Sequence, residues 1–349
     1  MSGVFSKALT HRLFWPVLML VALLVINVVA VPDFLSITIH DGHLFGSIVD
    51  ILRNGAPTLI IAVGMTLVIA TRGIDLSVGA LCAISGAVAC SIILGSDNPG
   101  SVGTVTVAVL AALGLALVMG VWNGLLVAVV GIQPIIATLV LMTAGRGIAM
   151  LITEGQILTV NSPPFKFLGS GFLLGVPVAV IIGAVIFALV ALLTRRTALG
   201  LLIESVGINP EASRQAGVRA RGLLFAVYAF CALAAGIAGI ILTANQTAAD
   251  ANNTGLFIEL DAILAVVIGG TSLAGGRYSL AGTLVGALVI QTLVTTVYTI
   301  GIPPIATMVF KAAVVTAVCL LQSPTTNEAI GRWRERLAAG RRTAKAVAR

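Results

Sequence analysis

The chain has 349 residues, of which 58% are hydrophobic and only 9% are charged. A soluble domain carries about 25% charged residues, so this composition excludes a soluble globular protein and indicates an integral membrane protein. The apolar runs are continuous, which also excludes an outer-membrane barrel, because the strands of a barrel would alternate apolar and polar residues.

The apolar runs predict an all-α membrane protein with about ten transmembrane helices. The first run is too long for the apolar region of a signal peptide, so we interpret it as an uncleaved first span. The predicted spans are 14–31, 57–70, 78–94, 102–130, 134–152, 175–193, 223–242, 262–270, 280–299 and 304–321. This count predicts a cytoplasmic N-terminus (1–13), a polytopic transmembrane domain (14–322) and a basic cytoplasmic tail (323–349).

The net charge of +7 indicates orientation in the membrane and not nucleic-acid binding. Of the 20 Lys and Arg residues, sixteen fall on one side of the predicted topology, two on the other, and two (Arg146 and Lys311) inside spans. Basic residues accumulate in cytoplasmic loops, which sets the orientation. The seven basic residues of the tail predict a helix that lies on anionic lipid. Arg146 requires a partner, which the sequence does not identify.

Two predicted spans are short and stop at polar, glycine-containing stretches. The second span stops at TRGIDLS (71–77), and the eighth ends in GGTSLAGGR (269–277). Neither crosses a hydrocarbon core of about 30 Å alone, which predicts broken helices. Interruptions at corresponding positions of two halves indicate an internal repeat that frames a translocation path. Thr271 and Ser272 are therefore candidates for the path or for a helix break.

Four further polar residues have two interpretations each. Asp75 and Ser77 precede the third span, where Asp75 could cap the helix by accepting its first N–H groups or could act directly in transport. Asn123 and Gln133 lie at the fourth and fifth spans. Amides in a bilayer either face a water-lined cavity or make interhelical hydrogen bonds. We keep all four as candidates for the path.

The longest polar interruption is the loop from Thr194 to Gly222, which carries five arginines and two glutamates. It predicts two short helices. Gly207 breaks the first, and Asn209-Pro210 begins the second with proline at the first helical position. The loop is either a docking site for a soluble cytoplasmic partner or an ordinary positively charged cytoplasmic loop.

The sequence contains no catalytic signature. No P-loop G-x-x-x-x-G-K-[ST], no H-E-x-x-H and no G-x-S-x-G motif occurs. We therefore predict a transporter subunit that is not an enzyme and has no cofactor or metal of its own. Ionisable groups inside the spans are few, which argues against a proton relay. The energy source then has to dock from outside, which favours loop 194–222 as the docking site.

Four sequence blocks are distinctive: GMTLVIATRGIDLSVGA (64–80), WNGLLVAVVGIQPIIATLVLMTAGRG (122–147), ALGLLIESVGINPEASRQAGV (198–218) and ELDAILAVVIGGTSLAGGR (259–277). Together they resemble, almost end to end, the permease subunits of bacterial sugar ABC importers of the ribose, xylose and arabinose class. Within that family, residues 41–57 and 249–270 look most like the galactofuranose importer permease.

The resemblance implies an inner-membrane complex of two permeases, either two identical chains or two related ones. Two cytoplasmic ATPase subunits, which would bind the ATP, and a periplasmic sugar-binding protein would complete it. By resemblance, the helix that couples the permease to the ATPase comprises Glu204, Ser205, Val206, Gly207, Ile208 and Asn209. Relatives often have a second glycine where this chain has Ile208, which we interpret as an adjustment of the fit to the partner.

Three alternatives to sugar import remain. The first is an ABC permease for branched-chain amino acids, against which the block GIDLSVGA argues. The second is an ion-coupled secondary transporter, which would need coupling carboxylates inside the bundle. Asp75, Glu259 and Asp261 are the candidates, and all lie at the ends of predicted spans. The third is a multispan scaffold without transport activity.

Overall fold

The computed structural model describes residues 13–303 and 306–322. The predicted cytoplasmic N-terminus, apart from Leu13, and the predicted basic tail 323–349 lie outside the described residues. The described helices, numbered in chain order, are α1 Phe14–Ala30, α2 Ser47–Ala70, α3 Val78–Leu94, α4 Val102–Leu125, α5 Pro134–Ile152, α6 Pro163–Ser170, α7 Val178–Arg196, α8 Leu199–Ile208, α9 Pro210–Gln215, α10 Ala220–Gln246, α11 Ile258–Ile268, α12 Leu280–Thr299 and α13 Thr307–Gln322. A π-helical turn, Leu126–Val130, extends α4.

Helix α10 forms the centre of the bundle and packs on α2, α3 and α4. Small residues allow this close approach. Gly64 of α2 lies against Cys231, and Gly239 of α10 lies against the backbone of Cys82, with no space for a Cβ atom. Helices in a membrane gain little from the hydrophobic effect between them, so close backbone packing at small residues is a main source of their association.

Among the described residues, six helices are long and apolar enough to cross a membrane: α2, α4 with its π-helical turn, α5, α7, α10 and α12. Helices α1 and α3 are also apolar and have 17 residues each. The described part of the chain is therefore a mostly helical membrane protein.

The prediction that the second span is short was wrong. Helix α2 begins at Ser47, well before Pro57, and its 24 residues cover about 36 Å. Pro57 cannot donate to a carbonyl of the preceding turn. However, Ala56, Pro57 and Thr58 are buried in the bundle, and this packing keeps the helix continuous. The interruption itself is confirmed, because α2 ends at Ala70 and α3 begins at Val78.

The prediction of a short eighth span is confirmed. Helix α11 has 11 residues and covers only about 16 Å. The preceding residues, 250–257, form a series of turns in which Ala251 and Thr254 are buried. This segment, which we call the inserted turn, thus enters the bundle instead of lying wholly at its surface.

Short antiparallel strand pairs join the connections at the end of the bundle opposite α8 and α9. The pairs are β1 (Thr38–His40) with β2 (His43–Phe45), β3 (Leu158–Thr159) with β6 (Ala248–Ala249), and β4 (Phe172–Leu173) with β5 (Val176–Pro177). The ring of His43 stacks on Phe172 with centroids 4.5 Å apart, which ties two of these pairs together.

We expect Gly239→Ala to destabilise the protein by about 1–3 kcal/mol, because the new Cβ would collide with the backbone of Cys82 and separate α3 from α10. The matched control is Gly114→Ala. Gly114 is exposed on α4 and has open space at its Cβ position. Alanine should there be neutral or slightly stabilising. Thermal unfolding in detergent measures both, and equal melting temperatures would contradict the packing argument.

Candidate functional site

The interruption between α2 and α3 contains a chain of buried polar side chains. Asp75 Oδ1 accepts hydrogen bonds from the Ser77 N–H at 3.0 Å and from the Ser77 hydroxyl at 2.6 Å. Asn123 of α4 donates from Nδ2 to the Ser77 Oγ at 2.9 Å. All three side chains are fully buried. We call this set the polar cluster.

Asp75 does not cap α3 as the helix-capping interpretation expects. It binds the N–H of Ser77, the residue that precedes the helix, and it does not reach the N–H groups of the first helical turn. Its carboxyl group instead fixes the shape of the interruption. Ser77 is the central member because its hydroxyl both donates to Asp75 and accepts from Asn123.

Tyr228 and Cys231 of α10 lie beside the polar cluster. The Cys231 thiol faces the Asp75 carboxyl group, and the Tyr228 hydroxyl lies where a side chain on Gly73 would have to fit. Among the described residues, no N–H or O–H group donates to Asp75 Oδ2, and Asn123 Oδ1 and the Tyr228 hydroxyl have no hydrogen-bond partner. The cluster therefore has unused polar capacity inside the bundle.

Arg146 of α5 has its partners in the inserted turn. Its Nη1 donates to the carbonyl of Ala251 at 2.9 Å and to that of Thr254 at 2.8 Å. These carbonyls lie outside regular secondary structure and would otherwise lack donors inside the bundle. Arg146 thus holds the inserted turn in place, and its charge is balanced in part by the nearby carboxyl group of Glu259.

The starts of α3 and α11 meet in the interior of the bundle. Gly79 in the first turn of α3 has no space for a Cβ, because the Glu259 carboxylate and the Gly255 carbonyl lie against it. One turn further along α3, the Cys82 thiol donates to the Ala235 carbonyl near the midpoint of α10. Carboxylates are favourable beside helix N-termini, which explains the presence of acidic residues there.

The predicted pair of short helices in loop 194–222 is confirmed as α8 and α9. Asn209 forms the junction, and its Oδ1 accepts the Ala212 N–H at 3.0 Å as an N-cap, with Pro210 at the first helical position. On the exposed face of α9, the Arg214 guanidinium hydrogen-bonds to Glu211 and lowers the pKa of that carboxyl group. The first helix ends at Ile208, one residue later than the predicted break at Gly207.

The six residues of the predicted coupling helix differ in their exposure. Val206 and Gly207 are buried, Glu204 and Ser205 are half-buried, and Ile208 and Asn209 are exposed. A Cβ on Gly207 would collide with the carbonyl of Ala70 and the amide of Gly276. The exposed corner at Ile208 and Asn209 is therefore the part that a partner can reach.

The remaining candidates lie away from the polar cluster. Gln133 is exposed before α5, and its side chain does not cap that helix. Thr271 is buried between α11 and α12, where its hydroxyl accepts the Ser279 N–H at 3.3 Å. Ser272 is exposed in the same loop and accepts the Ala274 N–H. Thr271 and Ser272 thus organise a connection between helices.

Sequence reasoning missed two contacts of charged residues. Arg72 donates from Nε to the Gly207 carbonyl at 2.5 Å and from Nη2 to the Ile208 carbonyl. Lys311 of α13 donates to both carboxylate oxygens of Asp261 in α11, at 2.8 and 2.6 Å. A basic residue shortly after a helix, as Arg72 is after α2, predicts contact with the last carbonyls of its own helix, so no sequence signal pointed to α8.

Comparison with known proteins supports the same assignment as the blocks described above. Residues 47–319 match the family described as branched-chain amino acid transport system / permease component. The chain is 50% identical over 320 residues to the galactofuranose transporter permease protein YtfT of Escherichia coli K12, and the alignment covers 90% of this chain and 92% of that protein. The chain belongs to the sugar ABC importer permease family.

Two further relatives carry the names of other sugars. The permease is 42% identical to the fructose import permease protein FruF of Bifidobacterium longum, with 91% and 90% of the two chains covered. It is 40% identical to the ribose import permease protein RbsC of Escherichia coli K12, with 87% and 92% covered. No solved structure matches the permease.

These relatives support sugar import over the amino-acid and ion-coupled alternatives. They are permeases of ABC importers, so the permease is a transporter subunit of the bacterial inner membrane. The six membrane-capable helices in the described part of the chain agree with this location.

We expect Ser77→Ala to destabilise the permease by about 1–3 kcal/mol, because Asp75 and Asn123 would each lose a buried hydrogen-bond partner. Ser272→Ala is the control, since its hydroxyl makes one hydrogen bond in an exposed turn. The measurement is the melting temperature of each purified variant in detergent. A Ser77→Ala protein as stable as the control would show that the polar cluster does not hold the interruption together.

Proposed function

We propose that the permease carries galactofuranose or a closely related pentose or hexose across the inner membrane, driven by ATP that a separate ATPase subunit binds. The substrate proposal rests on the 50% identity to a galactofuranose transporter permease over nine-tenths of the chain. The coupling proposal rests on the exposed corner at Ile208 and Asn209, which stands between two short helices at one end of the bundle.

We further propose a ten-span topology with both termini in the cytoplasm. The spans are the six long helices together with α1, α3, α11 and α13, of which α11 crosses only part of the membrane and is completed by the inserted turn. This arrangement puts α8, α9 and most of the Lys and Arg residues on the cytoplasmic side. The transmembrane domain then extends over 14–322, loop 194–222 is the coupling loop, and the tail 323–349 contacts lipid.

The complex that we propose contains two permeases, either identical or related, two cytoplasmic ATPase subunits and a periplasmic sugar-binding protein. The family membership of the relatives supports the ATPase and the binding protein. The sugar would pass through the gap between the two permeases. The polar cluster and Gln133 are the residues of this chain that we propose for control of that path, while Thr271 and Ser272 shape the loop before α12.

In this proposal, ATP binding draws the two ATPase subunits together and moves α8 and α9 with them. The permease itself contributes no group to ATP hydrolysis, in line with the absence of a P-loop motif from its sequence. Sugar selection would occur mainly in the binding protein. A weakly polar path then suffices, because tight binding inside the membrane would slow release.

We expect proteoliposomes that contain the permease, its ATPase and its binding protein to accumulate radiolabelled galactofuranose only when ATP is present. Radiolabelled ribose, xylose, arabinose and fructose are each tested in a separate parallel assay. ATP-dependent accumulation of one of these sugars instead of galactofuranose would support the proposed importer but contradict the proposed substrate. Uptake that continues without ATP but stops when the ion gradient is collapsed would overturn the proposal.

We expect Ile208→Glu to reduce ATPase co-purification and sugar uptake, because it introduces a charge at the exposed apolar residue of the proposed docking corner. Ile208 is 57% exposed, so the melting temperature of the permease alone should not change. The control is Leu174→Glu, which alters a 96% exposed residue in the turn between β4 and β5 at the opposite end. Equal ATPase co-purification by both variants would exclude the corner as the docking site.

A further inference from the structure

Arg72 has an unusual backbone conformation directly after α2. Its φ angle is +66°, in the left-handed region that residues with a Cβ rarely adopt. Three hydrogen bonds stabilise this turn. The N–H groups of Arg72 and Gly73 donate back to the carbonyls of Ile69 and Val68, both at 2.9 Å, and the Thr71 hydroxyl donates to the Val68 carbonyl. The strained turn thus directs the Arg72 side chain away from α2 and toward α8.

The Arg72 guanidinium binds the last two residues of α8. Its Nε donates to the Gly207 carbonyl at 2.5 Å, and its Nη2 donates to the Ile208 carbonyl. The final carbonyls of a helix have no partners within the helix and carry partial negative charge. A positively charged, planar donor that contacts two of them makes a strong and directional connection.

The backbones around this contact interlock. The Gly276 N–H donates to the Ala70 carbonyl at 2.8 Å, and Gly207 fits against both of these groups because it has no side chain. Gly275, at φ +84°, leaves space for the Cγ of Arg72. The end of α2, the end of α8 and the loop before α12 therefore form one contact unit with Arg72 at its centre.

This contact unit continues directly into the polar cluster. Asp75 follows Arg72 by three residues, and its carboxyl group binds both the N–H and the hydroxyl of Ser77 at the start of α3. Asn123 then links Ser77 to α4. A displacement of α8 that pulls on Arg72 thus reaches α3 and α4 through the backbone of residues 72–75 and the buried hydrogen bonds of the polar cluster.

We propose that Arg72 is the positioning residue that transmits movement of α8 to the α2–α3 interruption and through it to the polar cluster. This inference rests on the proposed function, in which the ATPase acts on α8 and α9. It assigns to that coupling a specific link within the permease, the hydrogen bonds from Arg72 to the end of α8. The alternative is a static contact that only supports the fold.

The test compares Arg72→Ala and Arg72→Lys with Lys166→Ala in the complete complex. Lys166 is an exposed basic residue of α6, outside loop 194–222 and at the end of the bundle opposite α8, so its loss should leave coupling unchanged. Sugar uptake and ATP hydrolysis are measured in the same proteoliposomes. Arg72→Ala should lower the uptake per ATP by about tenfold or more, as for the loss of one or two charge-assisted hydrogen bonds. Arg72→Lys should restore part of it.

Hydrogen exchange gives a second readout that does not depend on sugar uptake. In the unmodified complex, nucleotide should change the exchange of peptides from both α8 and the 71–80 region. In Arg72→Ala, the change should remain in α8 and disappear from 71–80. If the unmodified complex takes up no sugar with ATP, the proposed substrate is wrong, yet the exchange experiment still tests Arg72.

Three results would overturn the inference. The first is uptake per ATP in Arg72→Ala equal to that of Lys166→Ala. The second is a nucleotide-dependent change in 71–80 that survives the loss of the arginine. The third is loss of the ATPase subunit from both Arg72 variants during purification, which would assign this residue to docking or folding.

Discussion

Backbone groups inside a membrane bundle need hydrogen-bond partners from the protein itself, because no water is available to replace them. This constraint acts most strongly where α3 and α11 begin in the interior. The permease meets it with side chains. Asp75 accepts the N–H and the hydroxyl of Ser77 before α3, and Arg146 donates to two carbonyls before α11. The interrupted architecture depends on these few contacts.

Close packing of helices makes those contacts possible. Gly79 allows the start of α11 to lie against the start of α3, and Gly239 allows α3 to lie against α10. Because the backbones approach so closely, Asn123 of α4 can reach Ser77 across the interface. Small residues and buried polar residues thus work together: the first bring the helices together, and the second fix their register.

The end of the bundle that carries α8 follows the same principle. The last carbonyls of α8 lack hydrogen-bond donors within the helix. Arg72, in the α2–α3 interruption, donates hydrogen bonds to two of them. One charged side chain thereby connects an exposed pair of short helices to the buried polar cluster. Under the proposed function, the ATPase acts on α8 and α9 at the surface, and this connection carries their movement into the interior of the permease.

The sequence alone determined the membrane class, the two interruptions and the α8–α9 pair, because apolar runs and local signals such as Asn209-Pro210 act over a few residues. The resemblance of four sequence blocks also identified the family. The tertiary structure decided that α2 continues through Pro57, that the inserted turn enters the bundle, and which groups Arg72 and Arg146 bind. Their acceptors lie 135 and 105 residues away in the chain, at Gly207 and Ala251. Backbone carbonyls carry no sequence signal, so only the packing of the helices reveals them as partners.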